Sequence, residues 1–336
     1  MRILVTGGGG FLGTHLIQEL LKNPTYIVTS FSRHTYTHLE DIGVPTIKGD
    51  LTVRKDVERA LSQGFDAIFH VAALAGVWGK YEDYFAINVT GTKNLLEVAQ
   101  LQKITKFIYT STPSVVFGKG DLLGVDENQP YASEHLTPYA ETKTLAEKLV
   151  LESNNGKDFL TCALRPHLIW GPGDPHIFPR VIQKGREGKL KIVGDGENLV
   201  DIIYVENAAL AHVLAFENLK PGSNLCGEAY FIGQERPVKL WDFINQVLGF
   251  LKIEPVMKSI DLQTAYRLGW FLEKVFKVAG IQKPEPPMTR FVALNLGKSH
   301  YFSHEKAKKD FGYHPRVSIE EGLKRTFAQR ELIKET

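Results

Sequence analysis

The chain has few cysteines and no long hydrophobic run. Only Cys162 and Cys226 occur among its 336 residues, and two isolated cysteines do not make the disulfide framework of a small secreted domain. No stretch of about 20 apolar residues is present to span a bilayer, and the first strand begins at Arg2, which leaves no room for a signal peptide. We therefore expect two free thiols, no transmembrane segment and a cytoplasmic location.

An excess of charge of either sign is also missing. The chain has 40 Lys and Arg against 38 Asp and Glu, a net charge of +2, and its basic residues are scattered. Nucleic acid recognition requires a basic patch or stripe, so no nucleic acid partner is expected and a small molecule is favoured. The composition, 43% hydrophobic and 23% charged, is typical of a folded chain long enough for one large domain or two.

The first thirteen residues form the most informative stretch. A short apolar strand, Ile3-Leu4-Val5, runs into four consecutive glycines and then an apolar helix. Glycines permit a tight turn and a close backbone approach, and the free N–H groups at the helix start bind a pyrophosphate. The spacing fits Gly-x-Gly-x-x-Gly from Gly8 and Gly-x-x-Gly-x-x-Gly from Gly7, so it leaves the register open. The predicted cofactor contacts are Gly7, Gly10, Phe11, Leu12 and Gly13.

The end of the second predicted strand, Tyr26 to Phe31, indicates which dinucleotide binds. NAD sites usually place an Asp or Glu about 20 residues after the glycines, where it holds the ribose 2′-hydroxyl. Here Arg33 lies 20 residues after Gly13, beside Ser32, and the next acidic residue is Glu40. A guanidinium beside a hydroxyl suits a 2′-phosphate. This pattern favours NADP(H), with NAD as the alternative; Arg33 is otherwise a solvated loop residue.

Two further strand ends add candidate contacts. A third short strand ends before Asp50 and Leu51, where Asp50 either meets the adenine amine or caps the next helix. A fourth strand, Asp66 to Val71, is followed by Ala72, which is small enough for the backbone to lie along a cofactor. Asn88, in a predicted helix from Tyr84 to about Gln102, is interpreted as a structural hydrogen-bonding residue.

The fifth strand, 106–110, delivers two hydroxyls, Ser111 and Thr112, to the edge where open α/β sheets bind ligands. A later helix carries Tyr139 and Lys143, whose spacing of four places phenol and ammonium on one helical face. A nearby cation stabilises a phenolate, so we expect the pKa of Tyr139 to be lowered towards working pH. Lys143 keeps donors for a ribose.

Together these residues resemble the extended short-chain dehydrogenases/reductases. The resemblance rests on five separated motifs in the order of that family: Thr6 to Gly13, His70 to Ala73, Thr110 to Thr112, Tyr139-x-x-x-Lys143 and Leu164-Arg-Pro166. It implies that Tyr139 is the acid/base and that Lys143 holds the nicotinamide ribose. It further implies that Thr112 takes the place of the family's serine, with Ser111 as the second assignment. Pro166 to Leu168 would line the nicotinamide.

Within that family the chain is similar to the 3β-hydroxysteroid dehydrogenase-like branch, and in it to reductases of 2-alkyl-3-oxoalkanoates. Five segments carry this likeness: Ala75 to Gly79, Tyr109 to Val115, Leu164 to Asp174, Val193 to Gly196 and Glu285 to Phe291. The resemblance also implies a homodimer formed through the helices around Asn94 and Ala146.

The second half of the chain is expected to supply the substrate side. We predict a doubly wound parallel α/β (Rossmann) domain over 1–174 with return segments near 199–220, and a smaller, discontinuous substrate domain over 175–336. Arg180, on a predicted helix, would pair with a substrate carboxylate or is a surface arginine.

Two late patterns remain. The apolar helix 262–279 is interpreted as a core helix, a substrate lid, a dimer contact or a membrane-surface helix, with the core or lid favoured over the membrane surface. His300 and His304, four residues apart, are taken as structural and not as a metal pair.

The predicted activity is NADPH-dependent reduction of a 3-oxo group on a hydrophobic substrate. The alternatives are a sterol or 3β-hydroxysteroid dehydrogenase that oxidises a 3-hydroxy group with NAD, a nucleotide-sugar epimerase, and a non-catalytic NADP(H) sensor. Chemistry at the site has to decide among them, because fold similarity does not determine function.

Overall fold

The computed structural model describes residues 1–332 of the chain. The strands are β1 (Arg2–Thr6), β2 (Ile27–Ser32), β3 (Thr46–Lys48), β4 (Ala67–His70), β5 (Lys106–Thr110), β6 (Leu122–Val125), β7 (Leu160–Pro166), β8 (Ile169–Trp170), β9 (Ile192–Val193), β10 (Leu199–Val200), β11 (Ile203–Tyr204), β12 (Glu228–Ile232), β13 (Val238–Lys239), β14 (Ser259–Ile260) and β15 (His300–Phe302). The α-helices are α1 (Phe11–Leu20), α2 (Thr37–Glu40), α3 (Arg54–Leu61), α4 (Tyr81–Tyr84), α5 (Gly91–Leu101), α6 (Pro138–Glu152), α7 (Ile177–Arg186), α8 (Val205–Asn218), α9 (Leu240–Phe250), α10 (Leu262–Val278), α11 (Arg290–Gly297), α12 (Glu305–Phe311) and α13 (Ile319–Leu332).

A seven-stranded parallel sheet forms the centre of the molecule, in the order β12-β7-β5-β4-β1-β2-β3. Alternate residues of a strand point to opposite faces, so Ile3 and Val5 of β1 enter one hydrophobic cluster and Leu4 enters another. Helices α1 and α8 cover the first face, and α3, α5 and α6 cover the second. The predicted doubly wound Rossmann sheet is confirmed.

The sheet also contains a strand, β12, that was not predicted from the sequence. β12 pairs in parallel with β7, from Glu228 opposite Cys162 to Ile232 opposite Pro166. The chain therefore returns to the central sheet after forming part of the second half. Both cysteines are free, Cys162 buried in β7 and Cys226 partly buried.

The rest of the second half forms its own core. A four-stranded sheet, β13-β10-β15-β6, and the apolar faces of α7, α9, α11 and α13 surround buried aromatic residues that include Trp170 and Trp241. Within residues 1–332, no helix has the length and apolar character needed to cross a bilayer. On α10 only Ala265 and Gly269 are buried, so the interpretation of this segment as a core helix is wrong.

Candidate active site

The glycine loop turns sharply between β1 and α1. Gly7 has a φ of +69°, a left-handed conformation that other residues rarely adopt. A Cβ on Gly7 would lie 2.9 Å from the backbone of Ala72, and a Cβ on Gly13 would lie 2.2 Å from the carbonyl oxygen of Gly7. Both positions exclude a side chain for want of space. Glycine is therefore required at positions 7 and 13, which are the first and last glycines of the Gly-x-x-Gly-x-x-Gly spacing that begins at Gly7.

The start of α1 is open to an anion. Gly10 precedes the helix, no side chain caps its first N–H groups, and its first turn contains no acidic residue. Unpaired helix N–H groups and the positive end of the helix dipole favour a phosphate. Phe11 is partly buried and Leu12 buried at this end. These residues fit the pyrophosphate of a dinucleotide.

The residues predicted for the adenosine end follow β2 and β3. The hydroxyl of Ser32 donates to the carbonyl oxygen of His34 at 2.7 Å, and Arg33 is exposed. Asp50 Oδ1 accepts bonds from the backbone N–H and the hydroxyl of Thr52, both at 2.8 Å. Asp50 therefore shapes the turn that leads to α3, while Leu51 is buried.

A chain of buried hydrogen bonds fixes the end of β4 and the loop after it. Thr92 Oγ1 donates to the carbonyl oxygen of Asn88 at 2.6 Å, so it accepts from His70 Nε2 at 2.8 Å. The other ring nitrogen, Nδ1, then accepts from Thr6 Oγ1 at 2.7 Å, and that hydroxyl accepts from the N–H of Ala72 at 3.2 Å. His70 is thus neutral, and Ala72 is held against the glycine loop.

Asn88 braces the same loop from a short π-helical segment, Phe85–Thr90, between α4 and α5. Its side chain accepts from the N–H of Leu74 at 2.7 Å and donates to Thr142 at 3.0 Å, on the helix of the candidate acid/base. Single π-helical turns occur often at functional sites. The interpretation of Asn88 as a structural residue is consistent with these bonds.

Buried histidines predict acid sensitivity. Burial lowers the pKa of His70 to about 3 and that of His212 to about 4, from an ordinary 6.5. The unfolded chain takes up these protons below pH 6.5 and the folded chain does not, so acid favours unfolding. We expect the free energy of unfolding to fall by about 1.4 kcal/mol per pH unit and per histidine from about pH 6 to 4. Denaturant unfolding at several pH values measures this slope, and His212→Gln should reduce it; an unchanged slope in that variant would contradict the assignment.

Tyr139 and Thr112 lie side by side at the carboxyl edge of the sheet. Thr112 is buried, its hydroxyl accepts from the N–H of Ser114 and donates to Ser114 Oγ, both at 3.2 Å, and it lies close enough to Tyr139 to act on the pKa of the phenol. Burial nevertheless raises the pKa of Tyr139 to about 12, while Thr112 acts to lower it. The expected lowering of this pKa is therefore wrong for the protein alone, because desolvation of the phenolate outweighs the neighbouring groups. The Ser111 hydroxyl, also buried, has no hydrogen-bond partner among the described residues.

Lys143 lies one helical turn further along α6 and is buried. Its Nζ donates to the carbonyl oxygen of Thr110 at 2.6 Å and stands 4.0 Å from the centre of the Tyr109 ring. Burial lowers the pKa of Lys143 to about 7, and the charge of Glu147 acts in the opposite direction. The ammonium is thus anchored at the end of β5, the strand that also delivers Thr112.

A buried ion pair supports this face of α6. Arg165, in β7, donates to the carboxylate of Glu147 from Nη2 at 2.6 Å and from Nε at 3.0 Å, and both side chains are buried. Tyr131 donates a further bond to Glu147 at 2.8 Å. Glu147 follows Lys143 by four residues, so tyrosine, lysine and glutamate lie along one line of the helix.

The segment after β7 joins the candidate cofactor site to an apolar cavity. Pro166 is buried, and Leu168 has a φ of +43°, a conformation that is uncommon for leucine. Leu168 lines a cavity of about 120 Å³ together with apolar side chains from β8, α7 and α9. Asn295 of α11 carries the one amide side chain among the residues that line it, and the Nε1–H of the lining residue Trp170 has no partner among the described residues.

Sequence reasoning missed Tyr84 and Trp78. Tyr84 donates to the carbonyl oxygen of Trp78 at 3.1 Å and lies close enough to Tyr139 to raise its pKa. The available signal was the spacing of four between Tyr84 and Asn88, which places both on one face of a helix that borders the site.

Arg180 and the two histidines of the 300–304 segment also contact other residues of the protein. Arg180 forms an ion pair with Glu285 at 2.6 Å. The guanidinium that was predicted to bind a substrate carboxylate is therefore paired with a carboxylate of the protein itself. His300 contacts His167 at 2.7 Å, and His304 contacts Asp201 at 3.0 Å. Among residues 1–332 no group of three or more His, Cys, Asp or Glu converges on a metal position, and a structural role for both histidines stays a prediction.

Comparison with known proteins gives consistent relatives. A model of the 3-beta hydroxysteroid dehydrogenase/isomerase family matches residues 4–261. A 2-alkyl-3-oxoalkanoate reductase of Shewanella oneidensis is 47% identical over 328 residues, 96% of this chain and 84% of that protein. The decarboxylating sterol-4-alpha-carboxylate 3-dehydrogenase of Mus musculus is 38% identical over 325 residues, 96% of this chain and 89% of that protein. Among solved structures, UDP-glucuronic acid 4-epimerase of Bacillus cereus in complex with NAD superposes with a TM-score of 0.75 at 25% identity, covering 99% of each chain.

Proposed function

Since the chain belongs to the 3-beta hydroxysteroid dehydrogenase/isomerase family, we propose that it reduces the 3-oxo group of a 2-alkyl-3-oxoalkanoate with NADPH. It is an oxidoreductase of the extended short-chain dehydrogenase/reductase type. The observation that carries the proposal is the placement of Thr112, Tyr139 and Lys143 at the sheet edge that also bears the glycine loop.

The chemistry follows from the side chains. A bound nicotinamide supplies a hydride to the carbonyl carbon of the substrate. Tyr139 gives its phenolic proton to the carbonyl oxygen, and Thr112 hydrogen-bonds the same oxygen and orients it. The pKa of about 12 keeps Tyr139 protonated at neutral pH, which suits proton donation and therefore the reductive direction. Lys143, anchored by Thr110, presents its remaining donors to the ribose.

The glycine loop, Ser32, Arg33, Asp50, Leu51, Ala72, Pro166 and Leu168 form the proposed cofactor site. Arg33 is exposed after β2, where it can meet a 2′-phosphate without first breaking a bond that the structure records. A carboxylate at that position would repel the phosphate. These features support NADP(H) over NAD.

The apolar cavity beside Leu168 supports a substrate with an alkyl chain. Its volume of about 120 Å³ resembles that of apolar cavities of about 150 Å³ that stay dry and take up a benzene-sized molecule. If Pro166 to Leu168 line the nicotinamide as we propose, Leu168 would separate the reacting end of the cofactor from this cavity. We assign it to part of one alkyl arm of the substrate.

The proposal is tested by absorbance at 340 nm with NADPH and, separately, with NADH. A 2-alkyl-3-oxo acid is the substrate and a 3-oxosteroid the comparison. We expect oxidation of NADPH with the oxo acid and a lower kcat/KM with NADH. Turnover of the steroid alone would contradict the assignment of an alkyl-chain substrate. If neither substrate is reduced although the cofactor binds tightly, the proposal that the protein is a reductase is wrong.

A bulky residue in the cavity should shorten the substrate that the enzyme accepts. Val181→Phe, on α7, fills space lined by Leu168 and Phe243. Displacing about two methylenes costs about 0.8 kcal/mol each, so we expect the KM of a long 2-alkyl substrate to rise about tenfold. The KM of a short-chain analogue should change less than about twofold on the same scale. Val181→Ala is the matched control, and equal effects of Val181→Phe on both chain lengths would refute the assignment.

A specific relative favours one second candidate. The 38% identity to a decarboxylating sterol-4-alpha-carboxylate 3-dehydrogenase supports oxidation of a 3-hydroxy group on a larger ring system. The same Tyr139 would then accept the proton, which requires its pKa to fall from about 12 when the oxidised cofactor is bound. Measuring the reverse reaction with NAD and a sterol substrate distinguishes this candidate.

Three further proposals concern organisation. We propose a homodimer formed through α5 and α6, a division of the chain into two domains, and a cytoplasmic location. The dinucleotide domain comprises 1–174 with return segments near 199–220 and at β12, and the substrate domain comprises the rest of 175–336. Sedimentation equilibrium of the purified protein measures its mass, and a monomer at all concentrations would contradict the dimer.

A further inference from the structure

Arg180 and Glu285 form an ion pair that is open to solvent. Nη1 of Arg180, in the first turn of α7, lies 2.6 Å from a carboxylate oxygen of Glu285, and the two side chains are 59% and 34% exposed. An ion pair this exposed contributes little to stability, because water and salt screen it. A competing carboxylate can therefore replace Glu285 at small cost.

The connection between α10 and α11, which carries Glu285, lies against loops of the candidate active site. Near its start, the carbonyl oxygen of Ile281 accepts from Trp78 Nε1 at 3.0 Å, in the loop after β4. Just beyond its end, the ring of Phe291 packs edge-on against Phe117 at 6.0 Å, in the loop after β5. Glu285 lies between these two contacts in the chain, so its segment passes along the carboxyl edge of the central sheet.

Tyr84 connects Glu285 with the candidate acid/base. Its phenol donates to the carbonyl oxygen of Trp78 at 3.1 Å, and a Cβ on Gly76 would lie 2.7 Å from the phenol oxygen, so the loop after β4 is closed tightly around it. Burial raises the pKa of Tyr84, and the charge of Glu285 raises it further. Tyr84 in turn adds to the rise that burial causes in the pKa of Tyr139. Glu285 is thus an electrostatic neighbour of the site.

Helix α7 places Arg180 beside the apolar cavity. Ile177, Phe178 and Val181 line that cavity, and Ile177 lies three residues before Arg180, on the same side of the helix. The first N–H groups of α7 are not open to an anion, because the carboxylate of Asp174 accepts from those of Ile177 and Phe178. The guanidinium is therefore the group at this end of α7 that can bind a carboxylate.

The proposed substrate requires this combination. In a 2-alkyl-3-oxoalkanoate, C2 carries both the alkyl chain and the carboxylate, and it is bonded to the C3 carbonyl. A site that holds the carbonyl at Tyr139 and the alkyl chain in the cavity must therefore have a cation next to both. A guanidinium binds a carboxylate through two parallel hydrogen bonds. Among residues 1–332 the structure records Glu285 as the partner of Arg180, through one of its three nitrogens.

We propose that Arg180 selects a substrate that carries a carboxylate beside its 3-oxo group, and that Glu285 holds the guanidinium in place until this carboxylate displaces it. The inference rests on the proposed function and adds the residue by which the site distinguishes an acid from a neutral ketone or ester. A neutral 3-oxo compound leaves the ion pair closed, so the segment that carries Glu285 stays at the edge of the site.

The test measures binding by isothermal titration calorimetry with NADP present. The probes are a short, water-soluble 2-alkyl-3-hydroxy acid and its primary amide. We expect the unaltered protein to bind the acid at least tenfold more tightly than the amide. Arg180→Gln should weaken binding of the acid about 10- to 100-fold, the effect of losing a hydrogen bond to a charged group, and binding of the amide less than about twofold. Equal affinity of the unaltered protein for both probes, or equal weakening of both by Arg180→Gln, overturns the proposal.

Glu285→Gln removes the competing carboxylate. It should raise the affinity for the acid about two- to fivefold, the range of an exposed ion pair. The same substitution in Arg180→Gln should have a smaller effect, because no guanidinium is left to release. Arg186→Gln removes an equal charge from the last turn of α7 and is the matched control, with both affinities unchanged. An equal gain in the presence and absence of Arg180 shows that Glu285 does not compete for it, and the proposal is then wrong.

Turnover by the same variants separates this inference from the proposed function. If the acid binds through Arg180 but NADPH is not oxidised with the 3-oxo acid, the reductase assignment fails and the role of Arg180 is supported. If the 3-oxo acid and its methyl ester are reduced with equal kcat/KM, and Arg180→Gln changes neither value, the reductase assignment is supported and the role of Arg180 is refuted.

Discussion

Tyr139→Phe is expected to abolish turnover, with kcat lower by roughly 10²- to 10⁴-fold, the contribution of a positioned general acid. The phenol lies close to Thr112 at the carboxyl edge of the sheet, and phenylalanine keeps the ring while removing the proton that the carbonyl oxygen must receive. Cofactor affinity should remain largely intact, because the glycine loop and Lys143 are unchanged. Steady-state assays and fluorescence titration with NADPH measure the two effects separately.

The matched control for Tyr139→Phe is Tyr81→Phe. Tyr81 donates to Glu141 at 3.1 Å near the start of the same helix, α6, and is exposed. Its loss should leave kcat within about twofold, as is usual for a surface residue. A Tyr139→Phe enzyme with a rate like that of the unaltered protein would refute the acid/base assignment.

Arg165→Met is expected to lower the free energy of unfolding by about 3–5 kcal/mol, the usual cost of leaving one member of a buried ion pair alone. Glu147 is fully buried and receives two bonds from Arg165, so its carboxylate would lose its counter-charge away from water. Denaturant unfolding followed by circular dichroism measures the change.

The double variant Glu147→Leu with Arg165→Met is the control. Replacing a whole buried pair by apolar residues is often close to neutral, so the double variant should be more stable than Arg165→Met alone. Equal stability of the two would show that packing, and not the unpaired charge, causes the loss. The double variant should also lower the pKa of Lys143 below about 7, because Glu147 is the charge that opposes the effect of burial.

Part of the candidate site could be predicted from the sequence, because the carboxyl ends of parallel strands lie at the same edge of the sheet. Ser32, Ala72 and Thr112 follow strand ends that the apolar runs already marked, so their convergence follows from topology. The pKa of Tyr139 could not be predicted in this way. It depends on how much of the phenol is removed from water, and desolvation outweighs the charges that spacing suggests.

Contacts between segments that are far apart in the sequence could not be predicted either. Arg180 looked free because Glu285, its partner, is more than a hundred residues away. Tyr84 carries no motif, and its place beside Tyr139 results from the packing of the π-helical segment against α6. The return of β12 to the central sheet follows a crossover that no local pattern marks.

The sequence by itself determined the doubly wound sheet, the glycine turn and the family, because these depend on local periodicity, on the absence of a Cβ and on motifs in order. Only the tertiary structure decided which face of α10 is covered. The apolar residues of that helix are spread around it, and the side that becomes buried is chosen by a close approach: Gly269 lets the backbone at Thr289 reach the helix. Steric fit between distant segments then leaves Leu268, Phe271, Val275 and Val278 on the outside.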